Sequence, residues 1–149
     1  MTPTWDEYFI SLLDPIAKRS KDPHTQVGAI IVGPDNSIRS TGYNSFPRGI
    51  KDDVAERLER PEKYLWMEHA DRNAIYAAAK IGVPLEGCRM YLTIPPCMDC
   101  ARAIIQAGIT KIIVDIKKYR SRPSVRYEQD VYKVSTILEE AGVKLSMLT

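Results

Sequence analysis

The feature that most constrains this chain is a set of four side chains, His69, Asp71, Cys97 and Cys100, which read H-x-D, 24 residues, then P-C-x-x-C from Pro96 to Cys100. One imidazole and two thiols form a soft donor set suited to tetrahedral zinc. Three protein ligands leave the fourth position open, and the Asp71 carboxylate need not be a ligand. A structural zinc site closes all four positions with protein, whereas an open one binds water and lowers its pKa to roughly 7. The fold must therefore bring two distant segments to one point, around a metal placed to activate water.

The spacing says how each segment meets that point. Cys97 and Cys100 are three apart and precede an apolar helical pattern, so both thiols lie on one face of a first helical turn. A helix N-terminus also favours thiolate over thiol. His69 and Asp71, two apart, would point to different sides within a helix and can flank one pocket only at a helix entrance. Alone, Cys97-Met98-Asp99-Cys100 would equally suit a redox pair. Pro96 before it, and the H-x-(acid) opening another helix upstream, favour zinc. Cys88 and His24 are the remaining thiol and imidazole, and neither stands at ligand spacing. Cys88 reads as a small buried apolar residue, and His24 lies in a polar loop.

The chain of 149 residues is long enough to enclose one core without disulfides, and is expected to form a single domain over residues 1–149. Met1 to Tyr8 carries Asp6 and Glu7 where a secretory signal needs basic and then apolar residues. Apolar stretches such as Ala29 to Val32 fall far short of the ~20 residues of a membrane span. A soluble, cytoplasmic protein is expected. The net charge of +2 does not by itself indicate a polyanion partner. Its one basic concentration, Lys117, Lys118, Arg120, Arg122 and Arg126, reads either as a solvated loop or as a phosphate-facing or subunit-contact segment.

Trp5, Tyr8, Phe9, Leu12, Leu13 and Ile16 recur at helical spacing, which predicts a helix over residues 5 to 18. Gln26 to Val32 and Ile38 to Tyr43 flank the turn Gly33-Pro34-Asp35-Asn36 and read as paired strands. Residues 45 to 66 read as a surface excursion of the kind that often carries function. A helix follows from His69 to Gly82, its many alanines suited to close packing on a sheet. Arg89 to Ile94 and Lys111 to Ile116 read as strands around a helix from Cys97 to Ala107. A last helix, about Asp130 to Ala141, leads into a strand at Val143 to Met147. This alternation predicts an α/β fold with both sheet faces covered.

Several segments in order resemble the zinc cytidine-deaminase superfamily and, within it, the deoxycytidylate (dCMP) deaminases. They are Arg19 to Pro23, Gln26 to Ala29, Gly42-Tyr43-Asn44, His69-Ala70 with Asn73 to Ile75, and Pro96 to Ala101 continuing through Ile104 to Ile109. The resemblance implies a three-layer α/β/α sandwich around a mixed sheet of about five strands. It implies zinc on His69, Cys97 and Cys100, and a proton shuttle at Asp71, with dCMP and water giving dUMP and ammonia. By the same resemblance Asn44 holds the sugar, Lys21 meets the phosphate and Tyr119 lies near the base, and the protein is a homo-oligomer; the short apolar stretches predict no membrane partner, and the lack of a broad basic surface weighs against nucleic acid.

Two positions depart from the family pattern. Asp71 stands where the family carries Glu, and one methylene less retracts the carboxylate by roughly 1.5 Å, when a misplacement of ~1 Å can cost about a hundredfold in rate. Ser45 stands where dCMP deaminases commonly have Gly, in a loop associated with dCTP and dTTP effectors. Two other functions stay open at this point: a weakly active or inactive zinc-stabilised deoxycytidine-nucleotide-binding protein, and a deaminase acting on a base in nucleic acid.

Overall fold

The structure, a computed structural model, describes residues 1–120 and 125–148, with the side chains of residues 119, 120 and 125–130 left out. Helix α1 (Trp5–Ala17) opens on a reciprocal cap in which Thr4 and Glu7 satisfy each other's backbone N–H. Strands β1 (Gly28–Val32) and β2 (Ile38–Tyr43) form the expected hairpin. A 3₁₀ turn at Ala55–Leu58 and the short helix α2 (Lys63–Trp66) interrupt the excursion. The chain continues through α3 (Ala70–Ile81), β3 (Arg89–Leu92), α4 (Met98–Gln106), β4 (Lys111–Asp115), α5 (Ile116–Arg120), α6 (Val125–Glu140) and β5 (Lys144–Leu148).

The five strands form one mixed sheet in the order β2-β1-β3-β4-β5. β1 runs antiparallel to β2 and β3, whereas β3, β4 and β5 are parallel. Alternation along the central strands divides the core in two. Ile30, Val32, Tyr91 and Ile113 face α1 and pack on Phe9 and Leu13. Ala29, Ile31, Met90, Leu92, Ile112 and Val114 face the layer of α3, α4 and α6. Each fully buried large side chain contributes about 1.5–3 kcal/mol. The expected three-layer arrangement and mixed five-stranded sheet are both present.

The alanine-rich face of α3 has a definite use. A Cβ on Gly42 of β2 would stand 2.3 Å from the Ala70 carbonyl oxygen and 2.5 Å from the Ala74 nitrogen, so backbone meets backbone there. This seats the start of α3 hard against β2. The helix stops at Gly82, where φ is +74°, a conformation that costs an L side chain energy.

Two expectations differ from the structure. The segment from Lys117 to Arg126, for which a solvated loop is one of the two readings, is helical at both ends, in α5 and the start of α6. Asp115 accepts the backbone N–H groups of Lys117 and Lys118 and so starts α5, a local cap that the missing apolar period hid. Residues 121–124, with Arg122, lie outside the described residues. The last helix also begins at Val125 rather than about Asp130. Among the described residues, no helix is long and apolar enough to cross a membrane.

Candidate metal centre

The site lies where β2 and β3 end and where α3 and α4 begin. His69 and Cys97 are the N-cap residues of α3 and α4, each with extended backbone (φ −76°, ψ 152° and 175°) and neither capping its helix with its side chain. That position is usually held by Ser, Thr, Asp or Asn, whose oxygen is spent on the helix. Here the donor atoms stay free to face a common point. Cys100, one turn into α4, is fully buried, whereas His69 and Cys97 keep some exposure.

Cys97 Sγ lies 3.5 Å and Cys100 Sγ 3.4 Å from His69 Nδ1, and all three donors fall within 4.8 Å of one another. Tetrahedral bonds of about 2.3 Å to sulfur and about 2.05 Å to nitrogen separate N and S by about 3.5 Å. The donor set therefore fits zinc before any metal is added. Among the described residues, no other group of His, Cys, Asp or Glu converges in this way.

The charges agree with that reading. Cys97 is lowered to about 4, first by a hydrogen bond from Cys100 and then by His69, while Cys100 is raised by Cys97, burial and Asp71. Both directions describe one hydrogen bond, accepted by a thiolate and donated by a thiol. The bond with Cys97 raises His69. Asp71 lies in the first turn of α3, 6 % exposed, and its carboxyl helps to raise the Cys100 thiol. Burial raises Asp71 above the ordinary carboxylate range, which suits a group that must take up and return a proton. The predicted helix-entrance placement of His69 and Asp71 is what the structure shows.

A ring of charge surrounds the ligands that sequence reasoning did not single out. Glu68 Oε1 accepts the His69 backbone N–H at 2.9 Å and the Arg72 Nε–H at 2.7 Å. Arg72 in turn reaches Asp99 at 3.7 Å and stands near both ligand thiols. Glu68 and Arg72 are four apart across a helix start, a spacing that signals an ion pair but not its proximity to metal.

The three expected substrate contacts are distributed differently. Lys21 is exposed and paired with Asp52 at 2.8 Å. It lines a cleft of about 530 Å³ together with Arg19, Ser45, Arg48, Glu68 and Tyr76, a cleft that none of the three metal ligands walls. Asn44 is 7 % exposed. Its Oδ1 accepts the Val27 N–H at 2.8 Å and its Nδ2 donates to the Thr25 carbonyl at 2.7 Å. Tyr119 falls in α5, and its side chain lies outside the described residues. Cys88 is buried as expected, and His24 faces Glu59 at 3.9 Å.

A profile for the cytidine and deoxycytidylate deaminase zinc-binding region matches residues 3–116. The chain belongs to the cytidine and deoxycytidylate deaminase family. It is 42% identical over 132 residues to a probable deoxycytidylate deaminase of Drosophila melanogaster, covering 82% of this chain and 64% of that one. With the deoxycytidylate deaminase of Homo sapiens it shares 43% over 120 residues, covering 77% of this chain and 66% of that one. The chain thus spans just under two thirds of the length of these two curated relatives. Its fold matches the crystal structure of dCMP deaminase from the cyanophage S-TIM5 in complex with dCMP and dUMP, with a TM-score of 0.76, 25% identity and 99% of each chain covered. Zinc is the metal of this family's site, and His69, Cys97 and Cys100 are a donor set able to hold it here.

Proposed function

We propose that this chain hydrolyses dCMP to dUMP and ammonia as one deaminase domain over residues 1–149. The observation that carries the reading is the convergence of three donors within 4.8 Å of one another, with the buried Asp71 in the first turn of the helix whose N-cap residue is His69. Bound there, zinc supplies a Lewis acid that brings the pKa of water down to roughly 7. Asp71 would take one proton from water and deliver it to N3 of the base, then carry the remaining hydroxyl proton to the departing amine. The water oxygen becomes the C4 carbonyl, and the amino group leaves as ammonia. Glu68 and Arg72 hold His69 in place and set a positive charge beside the thiolates.

The choice of dCMP is supported by the named deoxycytidylate deaminases at 42% and 43% identity and by the cyanophage enzyme's complex with dCMP and dUMP. Lys21 is the proposed phosphate contact. An exposed ion pair such as Lys21–Asp52 contributes only about 0–1 kcal/mol, so a phosphate can displace Asp52. Asn44 is the proposed sugar contact, by its bonds to Thr25 and Val27 the holder of the loop that presents it, and Tyr119 the proposed neighbour of the base. Arg19 and Arg48 in the cleft beside Ser45 would receive the triphosphate of a dCTP or dTTP effector. Exposed Leu65, Tyr76 and Ile81 support a homo-oligomer, and the need for reduced thiol ligands supports the cytoplasm.

The test is ammonia release from dCMP by wild type, Asp71→Asn and Asp71→Glu at equal zinc content. Asp71→Asn should lose at least a hundredfold in kcat, and Asp71→Glu should keep activity. A large gain in Asp71→Glu over a nearly inert wild type would favour the nucleotide-binding reading. Steep weakening of substrate affinity with salt would favour a nucleic-acid substrate.

A further inference from the structure

We propose that the buried ion pair Asp22–Lys63 positions the segment Met67–His69 for metal binding. The proposal rests on the zinc reading above and assigns these two residues a part in it. Both side chains are almost wholly enclosed, at 5 % and 4 % exposure. Lys63 Nζ donates to both Asp22 oxygens, at 2.8 and 3.1 Å. The carboxylate also accepts the backbone N–H groups of His24 at 2.8 Å and Thr25 at 3.2 Å.

Stability is a poor reason for such a pair. Removing two charges from water costs as much as their attraction returns, and apolar residues of similar volume often serve a core as well or better. What the pair supplies is direction. Helix α2 has four residues, and of these only Lys63 is buried. Tyr64 and Leu65 are 45% and 81% exposed, and Trp66 is half-buried, with Arg57 stacked on its ring at 3.8 Å. The element that leads into the zinc ligand therefore has no buried apolar side chain to hold it. A lysine bonded to both oxygens of one carboxylate fixes its place and its rotation.

The connection to the ligand is short. The Lys63 carbonyl accepts the Met67 N–H at 2.9 Å, and Glu68 exchanges two backbone hydrogen bonds with Ser45, at 2.8 and 3.1 Å. His69 follows directly. At the other end, the Asp22 backbone N–H donates to Ser20 Oγ, which itself donates to the Asn44 carbonyl at 2.7 Å. The pair thus ties α2 to the end of β2, and the Ser45–Glu68 bridge hangs from the same point. Nothing local in the sequence announces it, since the partners are 41 residues apart.

The test uses the double variant Asp22→Asn/Lys63→Met, which removes both charges while leaving an acceptor for His24 and Thr25. Zinc affinity by chelator competition, the visible spectrum of the cobalt-substituted protein, and kcat and KM on dCMP are compared with the thermal midpoint of the metal-free form. The expected result is at least a tenfold weaker zinc affinity, an altered cobalt spectrum and a fall in kcat, while the metal-free midpoint moves by only a few degrees. Zinc affinity within twofold of wild type, or a loss matched by the metal-free midpoint, overturns the proposal. Should the double variant not fold, amide exchange in metal-free wild type decides: protected Met67 and Glu68 N–H groups support prearrangement, and unprotected ones overturn it. Wild type that binds no zinc at all refutes the zinc reading itself, a separate outcome.

Discussion

Gly42→Ala should damage catalysis more than stability. The added methyl would lie 2.3 Å from the Ala70 oxygen and 2.5 Å from the Ala74 nitrogen, both backbone atoms of α3. Non-bonded heavy atoms rest about 3.5 Å apart, so β2 and the start of α3 must separate by about 1 Å. Overpacking of this size costs about 1–3 kcal/mol, or about 2–12 °C in Tm for a domain near 150 residues. Asp71 rides on the displaced turn, and a catalytic group misplaced by ~1 Å can lose about a hundredfold in rate. The comparison is Gly82→Ala at the other end of the same helix, where φ is +74° and nothing lies within 4 Å of the added methyl. That change costs roughly 1–2 kcal/mol through the backbone alone and leaves Asp71 in place. Ammonia release from dCMP, measured 20 °C below each Tm, should fall steeply for Gly42→Ala and little for Gly82→Ala. Equal losses, or a Gly42→Ala enzyme with wild-type kcat, would refute the argument that close packing sets the position of Asp71.

Other tests reach different parts of the structure. Arg72→Gln removes the cation beside the ligand thiols; protons then compete better for the thiolates, so the pH at which half the zinc is released should rise, as read with a metal indicator. Burial, with the hydrogen bond to Asp6, raises the Tyr91 phenol from 10.0 to about 12. A raised pKa means that its contribution is complete below pH 10 and lost as pH climbs toward 12, about 3 kcal/mol in all. Urea denaturation at pH 9 and 11.5 should show this loss in wild type and much less of it in Tyr91→Phe. Lys21→Met should raise KM for dCMP and leave turnover of deoxycytidine unchanged, and Asp52→Ala, which frees Lys21, should lower KM for dCMP.

What was legible in the sequence follows from which interactions are local. The α1 helix announced itself through the spacing from Trp5 to Ile16, and α3 through its alanines and the stop at Gly82, because each pattern reflects one packed face. The convergence of His69, Cys97 and Cys100 was legible because the two cysteines share a helical turn and because His69 and Asp71 can flank one pocket only at a helix entrance. By contrast, α2 is too short to show a period, and its anchor on Asp22 is remote in sequence. The starts of α5 and α6 lie among charged residues that carry no apolar signal. Asn44 illustrates a further limit: a motif position names a residue type, and only the structure showed its amide already bonded to Thr25 and Val27.

The most direct test of a three-donor zinc centre is X-ray absorption at the zinc edge of protein purified without chelators. Two sulfur neighbours at about 2.3 Å and two nitrogen or oxygen neighbours at about 2.0 Å, one of them exchangeable, are the predicted result. A shell of three or four sulfurs, or protein that holds no zinc, would contradict it.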